Sequence, residues 1–312
     1  MTTYRILFMG TPAFAVPALQ ALLATQQVVG VVTQPDRPAG RGQHMQPSPV
    51  KQAALAADVP IYQPKSLRPE AAAHPLRDWQ PDAIVVAAFG QLLRPHVLDL
   101  PPLGCINVHA SLLPRWRGAS PIQHALLAGD AQTGVSLMRM DVGLDTGPVY
   151  VQKAIPIAPD ETAATLHDRL AALGGQMLAD NLGDILAGRL AATPQPDAGI
   201  AYAPMIKKED GRLDWAQPAI MLERRVRAMT PWPGAFTTWR GKLLKVLRAG
   251  MVNAADVPAG IPGQARLIDG TIVVGTGVDG LALHQVQLAG KRPADMADFL
   301  RGHPDFAGSI LE

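Results

Sequence analysis

An amide and an imidazole stand two residues apart in Cys105-Ile106-Asn107-Val108-His109, at the end of an apolar run. In an extended strand, residues i and i+2 project from the same side, so Asn107 and His109 would face one ligand together. An amide N–H can hold a developing oxyanion, and an imidazole can carry a proton near neutral pH. That pairing suits acyl-type transfer, in which a nucleophile adds to a carbonyl carbon, charge collects on oxygen and a proton must move. A nearby carboxylate would stabilise the imidazolium. The stretch Met140-Asp141-Val142-Gly143-Leu144-Asp145-Thr146-Gly147 supplies Asp141 and Asp145 just before another apolar run. From spacing alone, the aspartates are either a third catalytic group or turn formers, and Asn-x-His is also a common way to end a strand. Both readings stand at this point.

Several elements must position these groups. Residues 4–10 predict a first strand. Thr11 then predicts a helix N-cap with Pro12 at the first helical position, and 28–34 a second buried strand. A β-α-β opening of this kind implies a parallel sheet with a right-handed crossover. Further apolar strands over 81–90 and 104–110 place Asn107 and His109 at a strand's C-terminal end, where open parallel sheets keep their ligand crevice. Residues 133–140 and 147–157 read as an antiparallel pair, and 162–190 as a helical hairpin or one bent helix. No G-x-G-x-x-G follows the first strand, so no dinucleotide cofactor is indicated. Gln34 to Lys51, broken by Pro35, Pro38, Pro47 and Pro49, predicts a long functional loop with neither strand nor helix.

At 312 residues, 48% hydrophobic and 17% charged, the chain has the size and composition of two folded domains. The predicted fold class is α/β. A Rossmann-like, mostly parallel sheet domain spans 1–189, a Pro/Gly-rich linker 190–206, and a smaller OB-like β-barrel 207–312, where turn signals recur about every 8 to 12 residues. The lone Cys105 excludes an internal disulfide framework and a multi-cysteine metal site, and reads as a buried structural thiol. No apolar run of about 18 residues occurs, so no membrane association and a cytoplasmic location are expected; the expected oligomeric state, a monomer, does not follow from that absence. The small net charge of +2 conceals a cluster, since residues 207–248 hold 10 Lys/Arg against 4 Asp/Glu. Such a patch meets an anionic partner or is a solvated face.

Taken in order, Asn107-x-His109, Ser111-Leu112-Leu113-Pro114, Gly118-x-x-Pro121 and Leu144-Asp145-Thr146-Gly147-Pro148 resemble the active-site signature of the folate-dependent formyltransferases. Residues 5–19, 33–42 with 47–51, and 227–236 are similar to the branch of that family that acts on methionyl initiator tRNA. The resemblance covers nearly the whole chain. It implies 10-formyltetrahydrofolate as donor, no metal, and the α-amine of tRNA-bound methionine as acceptor. Asn107 and protonated His109 would hold the oxyanion, and Asp145 would tune His109 and help move the proton through a water. Ser111, Leu112, Leu113 and Pro114 would run along the folate. The backbone of Met140, Asp141, Val142, Gly143 and Leu144 would bind the pterin, with Phe89, Gly90 and Leu92 as its apolar wall.

For the tRNA, the resemblance implies Arg37, Arg41 and Lys51 on the acceptor stem, with Met45 as a wedge. Lys207, Lys208, Arg224, Arg225, Arg227, Arg240, Lys242 and Lys245 would meet the outer phosphates. Gln43 and His44 stand where members of the family often carry lysine, which lowers the positive field of that loop. Trp232 and Trp239 read as core, with stacking on RNA as the alternative. Three other functions share part of the pattern: a formyltransferase for a small-molecule amine, a hydrolase releasing formate, and a non-catalytic RNA-binding protein.

Overall fold

The computed structural model describes residues 2–39, 44–253 and 261–312. The chain divides into two compact units, 1–121 with 132–156 and 167–204, and 122–131 with 157–166 and 205–312. In chain order the elements up to residue 203 are β1 (Arg5–Gly10), α1 (Val16–Thr25), β2 (Gln27–Val32), β3 (Arg37–Ala39), β4 (His44–Gln46), α2 (Pro49–Ala56), β5 (Ile61–Tyr62), α3 (His74–Asp78), β6 (Ala83–Ala87), α4 (Pro95–Leu98), β7 (Cys105–His109), β8 (Arg117–Gly118), α5 (Pro121–Ala128), β9 (Gln132–Arg139), β10 (Val149–Pro156), α6 (Ala163–Leu186) and β11 (Tyr202–Ala203).

The first unit is built on a seven-stranded sheet in the order β10-β9-β7-β6-β1-β2-β5. Strands β5, β2, β1, β6 and β7 run parallel, while β9 pairs antiparallel with both β7 and β10. Every residue of β6 and β7 is buried, as expected of strands covered on both faces. From β1 the chain adds β2 and β5 on one side, then returns to place β6 on the other. Open sheets keep their ligand crevice at such a reversal, here the C-terminal ends of β1 and β6, one strand away from His109.

One sheet face carries Leu7, Met9, Ile84, Val86 and Cys105 in a single apolar cluster with Phe89, Leu93 and Val97. Asn107 and His109 continue the row of Cys105 at alternate positions, so the cluster's edge becomes the site's floor. The opposite face receives α6. A side chain at Gly174 would come within 2.8 Å of Val108 Cγ1, and one at Gly175 within 2.8 Å of the Pro17 carbonyl. These two glycines let the helix lie directly against β7 and α1, at a helix-propensity cost of about 1 kcal/mol each.

Two local expectations are corrected and one open alternative is decided. Thr11 is not an N-cap; a 3-10 turn over Ala13–Ala15 precedes α1, and the Thr11 hydroxyl instead donates to the Phe89 carbonyl. Of the two alternatives for residues 162–190, the single helix is the one found. Gln34–Lys51 holds the β3–β4 hairpin and the start of α2, whose Ser48 hydroxyl accepts from Lys51 N–H while Pro49 occupies the first turn.

The second unit contains α7 (Ala219–Ala228), β12 (Ala235–Trp239), β13 (Lys242–Val252), β14 (Ala265–Ile268), β15 (Thr271–Gly275), β16 (Gly280–Leu288), β17 (Ala294–Asp295) and α8 (Met296–Gly302). The strands form an antiparallel sheet in the order β12-β13-β16-β15-β14, with β17 beside β16. The last residues close it. Glu312 exchanges backbone hydrogen bonds with Thr238 of β12, while Gly308 and Ser309 bond to Ala265 of β14. Trp239 fills the interior edge-on to Phe299, His303 and Phe306. Among the described residues, no helix is long and apolar enough to cross a membrane.

Candidate active site

Asn107 and His109 are both buried at the end of β7, and the chain brings Asp145 to them from the β9–β10 connection. Asn107 Nδ2 donates to Asp145 Oδ1 at 3.3 Å, and His109 Nδ1 lies 3.7 Å from the same oxygen. The second distance is too long for a direct hydrogen bond, so a protonated ring and the carboxylate would interact by charge across a short gap. Asp145 Oδ2 accepts the Gly118 N–H at 2.9 Å, which fixes the carboxylate's orientation. Its side chain is 15% exposed, so one edge of the trio reaches solvent.

The imidazole's proton inventory follows from its other neighbour. His109 Nε2 is 3.0 Å from the Trp116 carbonyl, which can only accept, so Nε2 carries a hydrogen. Nδ1 is therefore the nitrogen that gains or loses a proton, and it faces Asp145. Both backbone positions that frame the ring are left-handed, Trp116 at φ +64 and Asp145 at φ +54. Non-glycine residues held there cost on the order of 1 kcal/mol each, and such strain collects at functional sites.

The aspartates of the 140–147 loop separate by role. Asp141 Oδ1 accepts from Gly143 N–H at 2.9 Å and from the Thr146 hydroxyl at 2.7 Å, which is the turn chemistry. That leaves Asp145 for His109. Met140 packs on the apolar cluster, whereas Val142 and Leu144 are exposed, Val142 at 74%. Leu92 is 62% exposed, Gly90 has φ +81, and the Phe89 ring is packed inside the cluster, so of that trio only Leu92 presents an open apolar side chain.

Ser111-Leu112-Leu113-Pro114 is braced from below. The buried Ser111 hydroxyl donates to the Arg115 carbonyl at 2.6 Å. Ser136 Oγ donates to the Ser111 carbonyl at 2.6 Å and accepts from Leu113 N–H at 3.2 Å. Gln152 Nε2 donates to the Leu113 carbonyl at 2.8 Å. Leu112 lies over Gly134, and Pro114 is half-buried. Ser136, Gln152 and the Trp116 carbonyl are not singled out by the sequence, because nothing in their local pattern reports a contact made across the sheet. No group of three or more His, Cys, Asp or Glu is placed to hold a metal among the described residues.

Sequence-family comparison matches residues 4–182 to formyl transferase and residues 205–304 to the formyl transferase C-terminal domain. The chain belongs to the formyl transferase family. It is 52% identical over 309 residues to the methionyl-tRNA formyltransferase of Myxococcus xanthus, covering 99% of this chain and 98% of that protein. It is 46% identical over 312 residues to that of Trichlorobacter lovleyi, covering 100% and 98%. Among solved structures, the sugar 3N-formyl transferase WlaRD superposes with a TM-score of 0.67 at 17% identity, over 94% of this chain and all of that one. Glycinamide ribonucleotide transformylase 1 from Symbiobacterium toebii gives 0.51 at 22% identity, over 62% and 95%. At those identities the likeness is one of fold.

The basic residues of this formyl transferase are in varied states. Lys51 Nζ pairs with Asp36 at 2.6 Å, and this ammonium, helped by Gln63, holds the Asp36 carboxyl below its usual range. Arg37 donates to Gln34 Oε1 at 3.1 Å, Met45 is exposed, and Arg41 lies outside the described residues. In the second unit, Arg224 donates to the Ala128 carbonyl, and Arg225 to the carbonyls of Asp210 and Arg212. Arg227 forms a two-pronged pair with Glu223 at 2.6 and 2.9 Å, and Arg240 pairs with Asp305 over the Trp239 ring. Lys245 is half-buried and points to the Pro233 carbonyl at 3.5 Å. Lys207, Lys208 and Lys242 are exposed. Trp239 is core as expected, but Trp232 is 58% exposed and is not.

Proposed function

We propose that the protein transfers the formyl group of 10-formyltetrahydrofolate to the α-amine of methionine esterified to initiator tRNA. The observation that carries the reading is the meeting of Asn107, His109 and the Asp145 carboxylate at one oxygen atom, in a chain about half identical end to end to methionyl-tRNA formyltransferases. The neutral amine adds to the formyl carbon, and the carbonyl π pair moves to oxygen. Asn107 Nδ2 and protonated His109 Nδ1 are the donors for that oxyanion. Asp145, close to the ring yet partly solvated, takes the proton released by the attacking nitrogen. It passes the proton through a water to N10 as the C–N10 bond breaks. The products are N-formylmethionyl-tRNA and tetrahydrofolate.

Leu92, Val142 and Leu144 give the donor's flat ring an exposed apolar surface, and the braced Ser111–Pro114 loop gives it a fixed edge. In this reading residues 1–189 carry the chemistry and 190–206 connect to 207–312. That second domain meets tRNA phosphates through Lys207, Lys208 and Lys242, with Trp232 available to stack on RNA. The enzyme acts as a cytoplasmic monomer.

The test is direct. Purified protein is incubated with 10-formyltetrahydrofolate and methionyl-tRNA of initiator or elongator type, and N-formylmethionine is measured after deacylation. Formylation of the initiator alone is expected. Formate release without transfer, or preferential formylation of an amino sugar, would overturn the reading.

A further inference from the structure

The segment between α6 and β11 reads as a linker in sequence, yet it is bound along the first unit. Thr193 exchanges backbone hydrogen bonds with Val149, Arg117 N–H donates to the Ala201 carbonyl, and Tyr202–Ala203 pair in parallel with Arg117–Gly118. Between those anchors lies Gln195. Its Nε2 donates to the carbonyls of Asp145, at 2.8 Å, and Gly147, at 2.7 Å. Its Oε1 accepts from Arg117 Nε at 3.1 Å and Nη2 at 2.8 Å, and Arg117 is itself buried.

The amide is therefore fixed on both sides. A buried guanidinium in fork geometry allows only oxygen toward it, so the two N–H groups must point at the loop. Those N–H groups gather two carbonyls that flank the left-handed turn at Asp145. The same segment acts on the carboxylate end as well. A side chain at Gly118 would come within 2.6 Å of the Ala203 carbonyl, so β11 lies hard against the residue whose N–H holds Asp145 Oδ2. Backbone and carboxylate of Asp145 are thus set by one strap, residues 193–203.

We infer that Gln195, oriented by Arg117, is a positioning residue for Asp145, and that the strap between the two domains sets the catalytic carboxylate. The inference rests on the formyl-transfer reading above. Gln195 touches neither substrate nor donor in this account; it acts through Asp145.

Gln195→Glu tests it most cleanly, because the change is nearly isosteric and keeps an oxygen acceptor for Arg117 while removing both N–H donors. The turnover number for methionyl-tRNA formylation is expected to fall about 10- to 100-fold, with KM for each substrate within about threefold of wild type. Gln195→Ala, which removes the donors without adding charge, should fall in the same range. In an Asp145→Asn background either change should lower the remaining rate by no more than about twofold, since the group being positioned is gone. Thermal melting and circular dichroism report folding, and if one substitution fails to fold the other carries the cycle. Wild-type turnover in Gln195→Glu, or the same fold loss in both backgrounds, would overturn the inference. If Asp145→Asn itself formylates at the wild-type rate, the formyl-transfer mechanism has failed rather than the strap.

Discussion

Around Asp145, polar side chains are buried and each is held by a named partner. Along 207–248, the cations are either exposed or tied to carboxylates and carbonyls of their own unit. In the proposed function the difference follows from what each region would recognise. Charge that develops on one oxygen for the lifetime of a transition state is stabilised by dipoles already aimed at it, so placement decides and small displacements are costly. A phosphate backbone is a long, repeating charge, so the number of cations decides and the position of any one matters little. In the proposed function, the exposed cations of the second region and the crowded, left-handed turns of the first are two solutions to two kinds of negative charge.

The sharpest way to break this contrast is to remove one member from each region. His109→Ala deletes the charged oxyanion donor and the partner of Asp145, and turnover should fall by about three orders of magnitude or more, while Kd for methionyl-tRNA changes by less than about threefold. Asn107→Ala removes one oxyanion donor and should cost about 100- to 1000-fold in turnover. A loss appearing in Kd instead would place these residues on the tRNA. In the second region, Lys242→Ala should lower kcat/KM only several-fold and reduce the slope of log K against log salt by about one phosphate contact. Adding Lys207→Ala and Lys208→Ala should compound that effect in proportion. A salt-independent wild-type enzyme would dissolve the contrast.

Lys51 sharpens the boundary between the two styles, because it is a cation already answered by Asp36. Lys51→Ala should change the salt slope less than Lys242→Ala does. Its effect should instead show in stability at low pH. The Asp36 carboxyl is held below its ordinary value by Lys51 first and Gln63 second. Its contribution is therefore present above the unfolded carboxyl's pKa of about 3.9 and is lost as pH falls through the folded value. Wild-type melting temperature should drop more steeply than that of Lys51→Ala between about pH 5 and 3. Parallel curves would show the pair to be idle.

The smallest effect concerns Cys105, which shares its strand with the trio but takes no part in it. Burial first, with the Asp99 charge beside it, pushes the thiol up to about 12. The native protein should resist alkylation by iodoacetamide at pH 8, and the unfolded chain should react promptly. Rapid native labelling, quenched by folate, would instead put the thiol in the site.

Much of the first region was legible in sequence, since strand alternation puts Asn107 and His109 on one side and the run 81–90 predicts the neighbouring strand. The trio also sits in a long ordered motif. Spacing alone does not tell Asp141 from Asp145, which the family resemblance separates, because the distinction lies in Thr146 and Gly118, one of them 27 residues away. The Gln34–Lys51 stretch was misread because prolines were counted as breakers. Pro49 occupies a helix's first turn, where it costs nothing, and Pro38 sits in a two-strand hairpin. Gln195 was invisible for a different reason. A single glutamine among Pro, Gly and Asp carries no periodicity, and its function exists only through contacts about 50 residues back in the chain. Among the basic residues, sequence counted charges but could not see which were already paired.

In the proposed mechanism the Asp145 carboxylate takes part in moving the proton between two nitrogens. Single-turnover transfer by Asp145→Asn tests it with the least ambiguity, because the amide keeps the side chain's shape and an oxygen for the Gly118 N–H. At saturating donor and methionyl-tRNA, the rate should fall by about 1000-fold or more at neutral pH, with both substrates still bound. A rate within about tenfold of wild type would contradict the account, leaving the carboxylate as a structural brace and the proton with another carrier.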